Sequence, residues 1–200
     1  MMRRTILLMA TMALTLLVAS GVALAVTKIG GPGPDTLRGT NGADNLLGRG
    51  GNDRLFGRGG RDNLLGGTGK DIVLGGNENC CGGGGDKNLV GGSGNDAVIS
   101  ALGADNVVGE EGNDLVADGP NREFSTDKLS AGDGNDVVGV FNDPAFRDIV
   151  TCGDGFDWVF ADKKDEVAPD CEKVADSGPE FEELFESIPE SFWEGLPPGF

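Results

Sequence analysis

The chain has 200 residues, with 33 acidic and 16 basic side chains, no histidine, and a formal charge of −17. That acid excess disfavours nucleic acid and anionic membranes as partners, since both repel it, and suits a protein that collects cations. Without histidine there is no Ser-His-Asp triad, no Cys-His dyad and no H-E-x-x-H zinc motif. No G-x-S-x-G elbow occurs either.

The first element is an apolar N-terminal stretch. Arg3 and Arg4 precede an uncharged run from about Thr5 to Val26, which ends in Ala23-Leu24-Ala25. A positive start, an apolar middle and an A-x-A ending predict a secretory signal peptide over 1–25, removed after Ala25. An uncleaved membrane anchor is the alternative, because the stretch is nearly long enough to span a bilayer. The expected location is therefore secreted and extracellular, or anchored at the cell surface. No membrane insertion is expected after cleavage. Without the two leading arginines the charge is −19.

Thirty-six glycines and few aromatics would by themselves suggest disorder. Periodicity overrides that reading. From Gly30 the sequence falls into rows of nine: GGPGPDTLR, GTNGADNLL, GRGGNDRLF, GRGGRDNLL and GGTGKDIVL. After a seven-residue unit, GGNENCC, come GGGGDKNLV, GGSGNDAVI, SALGADNVV and GEEGNDLVA. Asp118 to Asn121 then intervene before REFSTDKLS and AGDGNDVVG, and Val140 to Asn142 before DPAFRDIVT and CGDGFDWVF. The eighth position is Leu or Val in all thirteen rows, and the sixth is Asp in twelve, Lys87 being the exception.

A period of nine fits neither a helix nor a long alternating strand. It fits a six-residue turn followed by a three-residue strand whose central aliphatic residue points inward. Two rows close one coil of a flattened solenoid, with Leu37, Leu46, Leu55, Leu64, Val73, Leu89, Val98, Val107, Val116, Leu129, Val138, Val150 and Val159 as its core. That core is thin. Each inward side chain contributes about 2 kcal/mol, whereas ordering a residue costs at least ~1 kcal/mol. A divalent cation between stacked turns would neutralise paired aspartates and fix the loops. Oxygen ligands and the missing histidine favour calcium over transition metals, and irregular coordination favours it over magnesium.

These rows resemble the GGxGxDxUx nonapeptide of the RTX (hemolysin-type) calcium-binding repeat family. The resemblance covers about Gly30 to Phe160. It implies an all-β fold, a right-handed parallel β-roll over 26–174, with calcium between turns two rows apart. The implied ligands are the sixth-position residues Asp35, Asp44, Asp53, Asp62, Asp71, Asp96, Asp105, Asp114, Asp127, Asp136, Asp148 and Asp157, with turn carbonyls beside them. The best sites fall between Asp35 and Asp53, Asp44 and Asp62, Asp53 and Asp71, and Asp96 and Asp114. Lys87 and the irregular unit predict an interrupted ladder between Asp71 and Asp96, hence two calcium-bearing blocks. A lone aspartate here would read as a turn-capping residue.

Cys152 and Cys171 flank the last row and the segment after it. A bridge between them would stabilise by roughly 3 kcal/mol, and residues 161–174 would cap the open end of the roll. That segment resembles the C-terminal unit of small bacterial RTX-type proteins. Four cysteines allow three connectivities. Free thiols, a vicinal Cys80–Cys81 bridge and pairing to a second chain remain open. The tail, 175–200, has no basic residue and is rich in Glu. Phe181, Leu184, Phe185 and Ile188 have helical spacing, so a short helix and a disordered acidic tail are equal readings.

The leading functional reading is a non-enzymatic, secreted calcium-binding protein whose ion binding is coupled to folding. Second is a calcium-stiffened adhesion or matrix protein, with Phe192, Trp193 and Phe200 of the tail as the visible protein-partner surface. A carboxylate-based hydrolase is a distant third.

Overall fold

The computed structural model describes residues 24–76, 85–86, 88–119, 125–140, 146–176 and 179–198. Most of the leader, together with Cys80, Cys81, Lys87 and Phe200, lies outside these residues.

Every row builds one strand, and successive strands go to alternate sheets. One sheet contains β1 (Thr27–Ile29), β3 (Asn45–Gly50), β5 (Asn63–Thr68) and β7 (Asn88–Ser93). It continues through β9 (Asn106–Glu111), β11 (Lys128–Gly134), β13 (Ile149–Gly155) and β15 (Glu166–Val167). The facing sheet contains β2 (Thr36–Arg38), β4 (Arg54–Arg58), β6 (Ile72–Gly76) and β8 (Ala97–Ile99). Its remaining strands are β10 (Leu115–Ala117), β12 (Val137–Gly139), β14 (Trp158–Phe160) and β16 (Lys173–Ala175). All pairings are parallel and link rows two apart, as in Leu46↔Leu64 and Val116↔Val138. The molecule is a parallel β-roll. Strands of the first sheet run past the expected three residues, because pairing continues through the next turn, as in Arg49↔Gly67 and Gly50↔Thr68.

All thirteen eighth-position residues enter one continuous core between the sheets. Apolar first-position residues join them: Ala131, Val140, Cys152 and Ala161. The Cys152–Cys171 disulfide forms there, with Cys152 wholly buried.

The irregular segments do not interrupt the register. β5 pairs with β7 and β6 with β8 across the seven-residue unit. Asp118 and Val140, read above as the starts of inserts, instead fill first-position places, their amides bonding Gly139 O (2.9 Å) and Phe160 O (2.8 Å). All three extra segments therefore enlarge turns that run from the even sheet to the odd sheet. The opposite edge keeps uniform turns.

The acidic tail folds back on the roll. Helices α1 (Pro179–Ser187) and α2 (Glu190–Gly195) follow β16. Leu184, Ile188, Phe192 and Leu196 pack on Val137, Trp158, Phe160 and Ala175, on the outer face of the even sheet. The Trp158 indole N–H donates to Ser187 Oγ (3.1 Å). The sequence places Phe192 on an expected protein-partner surface of the tail. It is instead buried within the chain, because the even sheet's outer face is apolar at this end and needs cover.

Candidate metal centre

Two ladders of aspartate run the length of the roll, one along each edge. On the edge where the chain passes from the odd to the even sheet, the rungs are Asp35, Asp53, Asp71, Asp96, Asp114, Asp136 and Asp157. Each amide donates to Oδ1 of the next rung: Asp35 to Asp53 (2.8 Å), Asp53 to Asp71 (2.7 Å), Asp71 to Asp96 (2.7 Å). The series continues from Asp96 to Asp114 (2.8 Å), Asp114 to Asp136 (2.7 Å) and Asp136 to Asp157 (2.9 Å). Glu172 Oε2 ends it by accepting from the Asp157 amide (3.0 Å).

The second edge carries Asp44, Asp62, Asp86, Asp105, Asp127 and Asp148. Asp44 donates to Asp62, and Asp62 to Asp86, each at 2.8 Å. The Asp86 amide bonds Asp105. Asp105 donates to Asp127 (2.6 Å), Asp127 to Asp148 (2.8 Å) and Asp148 to Asp165 (3.0 Å). Asp86 is a rung that row counting missed, because it stands one residue before the sixth position, where Lys87 falls. The extra residues of this turn absorb the shift. The expected break between Asp71 and Asp96 is thus absent from both ladders.

The ladder uses only one oxygen of each carboxylate. Oδ2 of Asp53, Asp62, Asp71, Asp96, Asp114, Asp136 and Asp157 is buried without a hydrogen-bond partner. Leaving a carboxylate oxygen dry and unpaired is costly unless a cation or a proton meets it. Its surroundings are further acceptors. Where a Cβ on Gly66 would stand, Asp71 Oδ2 lies 2.5 Å away and the Gly91 carbonyl oxygen 2.6 Å. A side chain there would crowd both oxygens, so the glycine keeps open a space lined by acceptors. On the odd-to-even edge the turn backbone turns left-handed twice per row, for example at Gly92 and Gly94 (φ 117 and 131). Hard oxygen donors in irregular array suit calcium.

Burial drives the carboxyls upward in pKa: Asp62 and Asp71 to about 6, Asp96 and Asp136 to about 7, and Asp114 to about 8. For Asp114 the Asp96 amide opposes burial, while the Asp96, Asp136 and Glu110 carboxylates reinforce it.

The sixth and eighth positions alone point to neither of two further features. Buried Asp118, Asp127 and Asp148 bring carboxylate oxygens within 4.8 Å of one another, and Ser100 Oγ donates to Asp118 Oδ1 (3.2 Å). Fifth-position asparagines form their own ladder outside the aspartates. Asn95 Oδ1 accepts from the Asn113 amide (3.1 Å), Asn113 from Asn135 (2.9 Å) and Asn135 from Phe156 (2.9 Å). The recurring N-D pair was the signal for the second.

A parallel β-roll with buried, half-satisfied aspartate ladders defines a repeat protein built around bound cations. The RTX calcium-binding nonapeptide-repeat model matches in four copies, over residues 29–64, 47–79, 82–116 and 125–138, half of the chain. The chain belongs to that family, and calcium is the ion its repeats bind. No curated protein and no solved structure matches the chain.

Proposed function

We propose that the protein is an exported, non-enzymatic calcium-binding module whose roll forms when calcium enters the turns. The ions are held by Asp53, Asp71, Asp96, Asp114, Asp136 and Asp157 on the uniform edge. Asp35 and the second-edge residues Asp44, Asp62, Asp105, Asp127 and Asp148 form further sites, with Asp86 as an added ligand. Turn carbonyls complete each set. The observation that carries this reading is the row of buried Oδ2 atoms lacking partners. Calcium at those atoms supplies the charge compensation that no protein group provides, so its binding free energy becomes folding free energy.

Export follows from the signal-peptide pattern at 1–25, and no helix among the described residues is long and apolar enough to cross a membrane. A low-calcium cytoplasm then leaves the acidic, glycine-rich chain unfolded, and a calcium-rich exterior folds it. A calcium titration followed by circular dichroism, with magnesium as control, tests the coupling. β structure should appear with calcium and be lost to chelator. A chelated chain that keeps its full β signal and melting temperature sinks the coupling.

A further inference from the structure

The first coils differ in charge from the rest of the molecule. Residues 26–76 hold five acidic side chains, all of them ladder aspartates, against seven basic ones. Asp44, Asp53, Asp62 and Asp71 are buried and Asp35 is half-buried, while Lys28, Arg38, Arg49, Arg54, Arg58 and Arg61 are exposed. The outer surface of this end is therefore cationic, although residues 77–200 carry a net −21. Screening over ~8 Å at physiological ionic strength lets that local charge, rather than the total, decide what docks there.

Three of these positive groups, Arg38, Arg54 and Arg58, share the outer face of the even sheet. Along β4 the side chains alternate, burying Leu55 and projecting Arg54, Phe56 and Arg58 outward. On neighbouring β2, Arg38 pairs in register with Phe56, its guanidinium 5.1 Å from the ring centroid. Arg54 anchors the chain's end by donating to Pro198 O (2.7 Å).

Arg58 is the informative member. It holds φ 86, a left-handed conformation, where its register partner is Gly76. Glycine takes that conformation without steric cost, and an L side chain does not. Its side chain has no ion-pair or hydrogen-bond partner among the described residues. Neither the core nor the aspartate ladder needs an arginine here.

We propose that the face built by Arg38, Phe56 and Arg58 binds an acidic polysaccharide, with the Arg38 and Arg58 guanidinium forks on its carboxylate or sulfate groups and Phe56 holding Arg38 in place. Arginine's planar fork matches both anions. A flexible glycan touches this face alone, whereas a long duplex also meets the acidic remainder. Calcium strengthens the contact without bridging it, by neutralising the aspartates beneath. The choice of a glycan rests on the extracellular reading above.

The test measures binding of the purified chain, in millimolar calcium, to heparin, hyaluronan and a single-stranded oligonucleotide. Calcium affinity is measured calorimetrically on the same samples. Arg58→Gly and Arg38→Gln should weaken glycan binding about tenfold each, a loss of one strong contact. Arg49→Gly is the control. It removes the same charge from the same strained conformation (φ 84), but Arg49 lies on β3 in the opposite sheet, so binding should hold. Heparin against hyaluronan separates sulfate from carboxylate recognition. The proposal is overturned if the wild type binds neither glycan, if the oligonucleotide binds as tightly, or if Arg49→Gly loses as much as Arg58→Gly. A chain that is folded by circular dichroism and binds glycan but not calcium overturns the calcium reading instead.

Discussion

Asp114 concentrates the tension of the uniform edge. It is fully buried, its Oδ1 serves the Asp96 amide, and its Oδ2 meets no donor. Burial raises its pKa from the ordinary value to about 8. Asp114→Asn keeps the Oδ1 acceptor and removes the charge, so its effect should change sign with conditions. In chelator at pH 8, where the wild type loses its β structure, the variant should retain more of its β signal by circular dichroism, because the repulsion is relieved. In calcium it should melt lower, with weaker ion binding. The pH dependence follows the same logic. A carboxyl raised in the fold destabilises once ionised. The calcium-free chain should thus be most stable below the unfolded carboxyl pKa near 4 and lose stability as pH rises to about 8. Calcium affinity should move the other way, rising between about 6 and 8 as Asp62, Asp71, Asp96, Asp136 and Asp114 release protons. Calorimetry in buffers of different ionisation heat measures those protons.

The turn is the next unit up, and its two versions behave differently. Odd-to-even turns stack with pairing through the loop, as at Gly132↔Gly153 and Asp133↔Asp154. In the stacked turns past the first, glycines approach so closely that no Cβ fits: one on Gly67 would strike the Arg49 backbone. Even-to-odd turns house every irregular segment. A glycine inserted between Gly69 and Lys70 should therefore break the roll, whereas one inserted within 119–124 should leave melting temperature nearly unchanged. Comparing thermal melts in calcium decides it. The capping segment works as an element too. Asp165 and Glu172 supply the last rung of each ladder, and the Cys152–Cys171 bridge holds them to the final row. Cys171→Ser should cost about 3 kcal/mol of stability in calcium, read from denaturant unfolding.

Across the whole molecule the two outer sheet faces differ, the odd one being polar and the even one covered at its C-terminal end. Along the odd sheet, outward Asn63, Asn88 and Asn106 bond one another edge to edge (3.0 Å each), which suits exposure. The even sheet turns Val137, Trp158 and Phe160 outward, and the two helices bury them. Removing 177–200 should expose that cluster, raising binding of a hydrophobic dye and lowering melting temperature, while calcium stoichiometry stays unchanged.

What the sequence determined by itself was periodic. A Leu or Val at each eighth position and an Asp at twelve of the thirteen sixth positions are local requirements of one coil, so the β-roll, its core and its acid ladders could be read row by row. What the tertiary structure decided was everything that depends on how rows stack. Asp86, rather than Lys87, enters the ladder because register is fixed by strand pairing on both sides, and the turn between has residues to spare. Asp118 and Val140 lie inward for the same reason. The tail's helices find their place only once the even sheet presents an apolar face, and the cationic end exists only because stacking buries Asp44, Asp53, Asp62 and Asp71 and leaves the arginines outside. Spacing along a chain encodes a repeating unit; contacts between coils, which no single row contains, choose where the exceptions go.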